Sequence, residues 1–401
     1  MKKMVRQLFM AALAAALLTG FTAPAFAQEA FKFSGEAKSG IYWKSTQTMG
    51  YEPEENVMLH SKDDAGGEAQ MGRFRLNMDY EREDGFGMRF RFTFQEFRND
   101  LGNYWSYGFG YGNFFERQLT VSVGKLGGSP WGTGGPEMWK ELEEQAIGMR
   151  VEYKPSFIPG LNVGFVLNDY NSPKDQGWPA GKPLTLFEIL SESVVGVAYT
   201  HDLFMFRTSF RFDGEWDIRE NGADLKGKEG DELVYRIEER ALKNYLPGFQ
   251  VWALGYWVGI GADSEEFYNF QNWLFTQYDP PELFGLATPF TAQIRFGYDY
   301  IFNRSIIHFR PNLYWHFLNK LISVGAQFLY GQDFGEGKLD GPHPFTYMEV
   351  EPKIQLNFTS SYIAFVYNFR QEYFHAWQQE KKGFDPIKQT QYMNLRFCIY
   401  Y

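Results

Sequence analysis

Seven arginines could carry chemistry, because they stand at alternate positions of extended stretches. They are Arg73, Arg75, Arg89, Arg91, Arg150, Arg207 and Arg211. A period of two places alternate side chains on one face of a strand, so neighbouring members present their guanidinium groups together. A guanidinium is permanently charged and binds anions through several N–H donors. This face either attracts and selects ions or neutralises nearby carboxylates such as Asp79 and Glu81, and the sequence leaves both roles open.

The glycine-rich segment 126–143 is the second candidate, because acidic side chains gather near its end. Four glutamates stand there: Glu137, Glu141, Glu143 and Glu144. The glycines allow tight backbone turns, so the segment can lie against a wall of strands. Two arrangements are open: the segment folds inward and sets its acids opposite the arginines, or it remains outside as an exposed acidic cap.

No group of residues predicts catalysis or metal binding. The histidines stand at 60, 201, 308, 316, 343 and 375, and none has the i,i+4 spacing of a helical metal site. His308 and His316 share one side of a strand, but eight residues separate them by roughly 26 Å. Residues 108–112 alternate glycine with aromatic residues, which predicts a strand with small residues on its polar side rather than a phosphate loop. We therefore expect a protein that is not an enzyme, without cofactor or metal.

The elements that must position these residues are β-strands. On both sides of Gly85, apolar residues alternate with charged or polar ones, which predicts a hairpin with one apolar and one polar face. A turn centred near Gly85 would place Glu81 opposite Arg89 and Asp79 opposite Arg91. Opposite charges would then pair across the polar face.

The same alternation recurs from residue 31 to the end of the chain, in seventeen clear stretches. An antiparallel closed sheet with both ends on one side needs an even number of strands. A strand at Asn269–Tyr278 makes eighteen, whereas a loop there and one merged hairpin elsewhere make sixteen. We predict an all-β fold, a transmembrane antiparallel β-barrel of 18 strands (alternative 16), with short periplasmic turns and long extracellular loops. Pro311 and Pro352 cannot donate to a ladder and predict local irregularity.

The N-terminus indicates export. Lys2, Lys3 and Arg6 precede an apolar run over 8–18, and Ala27 completes a small-x-small cleavage site. This predicts a signal peptide over 1–27 and a single domain over 28–401. The net charge of −10 disfavours nucleic acid as a partner. The mean hydropathy of −0.40 excludes little, because a wall of alternating residues averages to an ordinary value.

The last strand carries the most specific pattern. Apolar residues occupy every second position from Met393 to Tyr401, and the chain ends on that aromatic residue. The pattern resembles the C-terminal assembly signal of outer-membrane β-barrels. The resemblance implies a location in the cell outer membrane, contact with its lipid, and recognition of this strand by the barrel-assembly machinery. The single cysteine, Cys398, lies in the same strand and suggests packing rather than chemistry.

Over residues 28–401 the chain resembles the general bacterial porins, whose third extracellular loop folds into the lumen. By this resemblance the four glutamates of the segment would face Arg73, Arg75, Arg89 and Arg91 across a constriction. It implies passive diffusion of small hydrophilic solutes or ions through a water-filled lumen, and it allows a homo-trimer. Alternatives are a substrate-specific channel for sugars or carboxylates, or a barrel acting as a surface adhesin. Lumen aromatics would favour sugars, and the arginines favour anions.

Overall fold

The computed structural model describes residues 31–48, 54–59, 73–97, 100–134, 140–142, 147–169, 193–212, 216–220, 223–227, 230–262, 268–301, 304–334, 345–374 and 387–401. The predicted signal peptide over 1–27 lies outside these ranges. Within them, no helix is both long enough and apolar enough to cross a membrane.

Eighteen strands form one closed antiparallel sheet. Their bounds are β1 (Phe31–Thr48), β3 (Arg73–Glu81), β4 (Phe86–Phe97), β5 (Asp100–Phe114), β6 (Leu119–Lys125), β7 (Ile147–Tyr153), β8 (Leu161–Asp169), β9 (Val194–Thr200), β10 (Phe204–Arg211), β13 (Asp231–Glu239), β14 (Phe249–Ile260), β15 (Asn269–Tyr278), β18 (Phe290–Ile301), β19 (Arg304–Phe317), β20 (Ile322–Asp333), β21 (Thr346–Phe358), β22 (Ser361–Tyr373) and β23 (Ile387–Tyr400). The short strands β2 (Glu54–Leu59), β11 (Trp216–Glu220), β12 (Ala223–Gly227), β16 (Glu282–Leu283) and β17 (Leu286–Ala287) and a 3₁₀ turn (Leu242–Asn244) lie in or beside the connections.

The barrel closes between its first and last strands. β1 pairs with β23 from Glu36 opposite Tyr400 to Thr48 opposite Lys388, and with β3 on its other edge. β15 pairs with β14 and with β18, so the predicted strand at Asn269–Tyr278 is confirmed. The count is therefore eighteen, and the alternative of sixteen is wrong.

Alternation divides each strand between two faces. The outward face carries exposed apolar side chains such as Phe165 and Phe296, whereas the inward face buries polar ones such as Glu152 and Asp299. A convex apolar face around a polar interior is typical of a barrel in lipid. The interior wall therefore holds charged side chains of the described strands.

β5 corrects one prediction about these faces. Phe109 and Tyr111 point inward, where Phe109 is 4% exposed and Tyr111 donates a hydrogen bond to Glu81 Oε2 at 3.2 Å. The glycines of 108–112 therefore face outward, and the expectation of small interior residues is wrong. The β4–β5 pairing is irregular between Arg91 and Phe92. The irregularity changes which residues of β5 face inward on either side of it, and the alternation of residue types alone does not predict this change.

The β3–β4 hairpin is confirmed, but its predicted register is wrong by two residues. Asp79 lies opposite Arg89, and Asn77 lies opposite Arg91. The backbone N–H of Arg82 donates to Phe86 O at 2.8 Å, so the turn is centred before Gly85 rather than on it. A shift of two keeps each side chain on its own face, and the arginines stay inside.

The two strand prolines interrupt the ladder as predicted. Pairing of β19 with β20 stops after Phe309 and resumes at Asn312, around Pro311. Pairing of β21 with β22 stops after Val350 and resumes at Lys353, around Pro352. The register is the same on both sides of each gap, so neither proline adds an extra residue.

The connections give the barrel two different ends. Eight turns join strands at the end where β1 begins and β23 stops, at residues 82–85, 115–118, 154–160, 201–203, 240–248, 279–289, 318–321 and 359–360. We call this the short-turn end. Six of the nine connections at the opposite end span 12 residues or more, whereas those at 98–99, 261–268 and 302–303 are shorter.

Candidate functional site

The segment that follows β6 lies against the interior wall. Leu126, Trp131 and Leu142 are at most 2% exposed. They form one apolar cluster with inward residues of four strands: Phe109, Val166, Val194, Ala198 and Val234. The segment therefore lies inside the barrel over its described parts, 126–134 and 140–142. These parts do not form an exposed acidic cap.

Trp131 fixes the segment in a notch between two strands. Gly164 of β8 and Gly196 of β9 lie directly opposite each other. A Cβ atom at Gly196 would be 2.0 Å from Trp131 Cδ2, and one at Gly164 would be 2.8 Å from Trp131 Cζ2. Such distances are far below van der Waals contact, so the indole occupies the space that the two missing side chains leave.

Hydrogen bonds close the segment on itself. Glu141 Oε2 accepts the backbone N–H of Gly128 at 3.0 Å and of Ser129 at 3.1 Å. Thr133 N donates to Lys140 O at 3.0 Å, and Lys140 N donates to Thr133 Oγ1 at 2.9 Å. Glu141, one of the four predicted glutamates, is thus 8% exposed, and its carboxylate is bound by the backbone at the start of the same segment. The other three, Glu137, Glu143 and Glu144, lie outside the described residues.

Two wall arginines meet the inner tip of the segment. Arg236 Nη1 donates to Thr133 O at 3.0 Å and to Gly134 O at 2.9 Å, and its Nη2 lies 2.9 Å from Glu238 Oε2. Arg207 Nη1 is 3.9 Å from the position of a Cβ on Gly134. Arg207 lies directly opposite Arg236 in the β10–β13 pairing, and it makes no hydrogen bond or ion pair with a described residue.

Three of the predicted arginines of β3 and β4, namely Arg75, Arg89 and Arg91, face inward and are held by close partners. Arg75 Nη1 lies 3.4 Å from Glu36 Oε1, and Arg89 Nε lies 3.8 Å from Asp79 Oδ1. Arg91 Nε donates to the Asn77 side chain at 2.8 Å. Arg89 and Arg91 also lie over aromatic rings, those of Tyr111 at 5.6 Å and Tyr107 at 4.8 Å. The side chain of Arg73 is not among the described ones.

Arg150 and Arg211 make closer ion pairs. Arg150 is 3% exposed, pairs with Glu152 at 2.9 Å and donates to Gly127 O at 3.5 Å. It therefore supports the base of the inward segment. Arg211 Nη2 lies 2.5 Å from Glu232 Oε1.

Sequence reasoning missed a second set of cations on the later strands. These side chains lie over interior rings: Arg236 over Trp252 at 5.8 Å, Arg295 over Phe275 at 5.8 Å, Arg310 over Trp273 at 5.3 Å and Arg370 over Tyr347 at 4.8 Å. Lys140 of the inward segment lies in the same way over Tyr256, at 4.5 Å. Trp252, Trp273 and Phe275 are 9%, 7% and 2% exposed. The interior therefore presents guanidinium groups and covers these rings. The alternation that marked the first arginines was the signal that could have found this set.

The interior histidines are held by hydrogen bonds on the wall. His308 contacts Asp299 Oδ2 through Nε2 at 2.8 Å and Tyr347 OH through Nδ1 at 2.7 Å. His316 contacts Thr291 at 2.9 Å and Ser323 at 2.8 Å. Among the described residues, no group of His, Cys, Asp and Glu side chains is arranged to hold a metal ion.

A cleft of about 330 Å³ lies between the inward segment and strands β3–β7. Its charged lining residues are Glu81, Arg89, Arg117, Arg150, Glu152 and Lys154, and Gly128 and Pro130 contribute the segment's side. Arg89 and Lys154 have half-exposed side chains, so the cleft is open to a charged solute.

Comparison with solved structures agrees with this architecture. The outer membrane channel DcaP of Acinetobacter baumannii matches with a TM-score of 0.52 and 8% identity, over 92% of this chain and 97% of that one. The chain has the fold of an outer-membrane channel. OpdQ of Pseudomonas aeruginosa (TM-score 0.49, 10% identity, 92% and 98% coverage) and an anion-selective porin from Comamonas acidovorans (0.44, 10%, 92% and 99%) also match. No protein-family profile and no curated protein sequence matches the chain.

Proposed function

We propose that this protein is an outer-membrane porin through which small hydrophilic solutes or ions diffuse passively. The observation that carries the proposal is the inward segment, held by Trp131 on the wall of a closed eighteen-strand barrel. A barrel of this size encloses an aqueous passage, and a segment on its inner wall narrows that passage. Transport then depends on the width and the charge of the narrow part, and no catalytic group is needed.

We further infer that the passage prefers anions. Arg207 lies opposite Arg236 at the tip of the segment and makes no ion pair or hydrogen bond with a described residue. Charges act more strongly inside a narrow pore than in bulk water. A sugar-selective channel would need exposed rings along the lumen, but guanidinium groups cover Trp252, Trp273 and Phe275. The interior therefore favours anions over neutral sugars.

The test is a planar-bilayer recording under a salt gradient. We expect stepwise conductance and a reversal potential of the sign that anion selectivity gives. Arg207→Glu should move the reversal potential toward cation selectivity, and Arg207→Gln should move it less. Arg211→Gln is the matched control, because Arg211 is already paired with Glu232. A purified barrel without conductance steps would refute the channel, and a cation-selective wild type would refute the anion preference.

Export and assembly belong to the same proposal. Cleavage near Ala27 would release the mature chain, and the C-terminal strand would present its outward residues to the barrel-assembly machinery. Tyr401 supports this role, because it completes the seam between the first and last strands. N-terminal sequencing of the purified protein tests the cleavage site, and its sedimentation in detergent tests whether a homo-trimer forms.

A further inference from the structure

Large apolar side chains are concentrated at the tips of the short turns. The five most exposed in the described chain are Phe284 at 93%, Tyr245 at 85%, Phe115 at 75%, Phe157 at 75% and Leu318 at 69%. All five lie at the short-turn end. Single exposed apolar residues are ordinary on a protein surface, but a contiguous group of them marks a contact surface.

These tips follow one another around the barrel. Six consecutive turns, from 115–118 to 318–321, carry an exposed large apolar residue, and Leu203 represents the turn that the five residues above do not cover. The two remaining turns lie on either side of the seam and are polar: Arg82, Glu83 and Asp84 in one, Thr359 and Ser360 in the other. The apolar turns therefore form an arc around most of the rim, which is interrupted at the seam.

The backbone conformation of three of these tips is unfavourable for the residue types that occupy them. Phe115, Phe284 and Leu318 adopt φ values of 51°, 54° and 53°. This left-handed region is unfavourable for bulky side chains, and glycine or asparagine would fill it with less strain. Strained positions cluster where a side chain has a role beyond the turn itself.

The tips continue the outward surface of the barrel. Phe115 follows the outward Phe114, and Leu318 follows the outward Phe317. Next to the turn 279–289, outward rings form a belt of contacts: Phe249 to Tyr278 at 6.4 Å, Tyr278 to Phe290 at 5.9 Å and Phe290 to Trp315 at 5.2 Å. Such belts mark the membrane interface of a barrel. Beyond this belt, the hairpin of β16 and β17 carries Phe284 at its tip.

We propose that the six apolar turns form a lipid-binding rim, whose tips insert among the headgroups of the periplasmic leaflet. Apolar and aromatic side chains in this region leave water while their backbone remains hydrated. The polar turns at 82–85 and 359–360 remain in the aqueous phase. This inference rests on the outer-membrane placement of the proposed function, but it does not depend on what passes through the barrel.

Spin labels at single cysteines test the rim. The native Cys398, 1% exposed, is first replaced by alanine. Phe284→Cys and Leu318→Cys then label two apolar tips, and Glu83→Cys labels the polar turn at the same end. In phospholipid vesicles, we expect relaxation by oxygen to dominate at positions 284 and 318. Relaxation by a water-soluble nickel chelate should dominate at position 83.

The outcomes distinguish insertion of the tips into lipid from exposure to water and from burial by protein. Labels at 284 and 318 that are as accessible to nickel as the label at 83 would place the tips in water and refute the rim. Labels shielded from both reagents would mean that protein, such as a second copy of the chain, covers the tips, which also refutes it. Conductance of the same labelled proteins is measured in parallel. Its loss with the lipid pattern intact would refute the channel alone.

Discussion

Trp131 occupies the space that Gly196 leaves open, with Cδ2 of its indole 2.0 Å from where a Cβ of residue 196 would be. The two residues stand 65 positions apart in the sequence and on different elements. The contact fixes where the inward segment lies against the wall.

Gly196→Ala should displace the segment. The added methyl group cannot coexist with the indole, and forced overpacking costs about 1–3 kcal/mol. Because the segment can yield more easily than the strand, we expect larger or noisier single-channel conductance, measured in planar bilayers.

Gly110→Ala is the matched control, since a Cβ there would meet only Gly87 O, at 3.8 Å. Its conductance should equal that of the wild type. An unchanged conductance for Gly196→Ala, together with a normally folded barrel, would show that Trp131 does not set the width.

Arg236→Gln should loosen the tip of the segment. The variant loses the charge-assisted hydrogen bonds to Thr133 O and Gly134 O, and bonds to charged groups contribute about 1.5–3 kcal/mol each. We expect more frequent current fluctuations and lower anion selectivity. Arg370→Gln, at a wall position that also stacks on a ring, should leave the fluctuations unchanged; equal noise in both variants would contradict the anchoring role.

Glu152→Leu should destabilise the barrel strongly. It leaves Arg150 buried without its partner, and breaking a buried ion pair in this way costs about 3–5 kcal/mol. Both side chains are nearly covered, at 4% and 9%. Urea unfolding in lipid vesicles, followed by tryptophan fluorescence, measures the loss.

Asp79→Leu provides the comparison, because Asp79 and Arg89 are about half exposed and 3.8 Å apart. Exposed pairs contribute about 0–1 kcal/mol. Similar losses for the two variants would show that burial does not distinguish the pairs.

Tyr401→Phe should weaken the seam. Tyr401 OH donates to Arg75 O at 2.8 Å, its ring lies over Gly35, and its backbone exchanges hydrogen bonds with Gly35. The last residue thus reaches across β1 to β3. We expect a loss of about 0.5–1.5 kcal/mol in the free energy of unfolding for the hydroxyl, and a larger loss for Tyr401→Ala. Tyr245→Phe, at an exposed turn, should cost nothing measurable; equal stability of Tyr401→Phe and wild type would remove the hydroxyl from the seam.

The alternation of apolar and polar residues predicted most of the fold. The inward face of Arg75, Arg89 and Arg91 follows from a period of two, and the strand at Asn269–Tyr278 follows from the even number of strands that a closed antiparallel sheet needs. A shift of the register by two residues, however, leaves each side chain on the same face of the sheet, so alternation cannot distinguish the two registers. The register of Asp79 against Arg89 therefore escaped prediction, because the turn hydrogen bond of Arg82 decides it.

The sequence by itself determined which residues form strands and which of their faces is polar, because both are properties of neighbouring positions. Only the tertiary structure decided that Trp131 fits the facing glycines, that Glu141 binds its own segment, and that Arg207 lies beside Arg236. These contacts join residues far apart in the chain. They form because the closed barrel brings side chains that are distant in the sequence close together in space. A pattern among neighbouring positions in the sequence cannot predict such a contact.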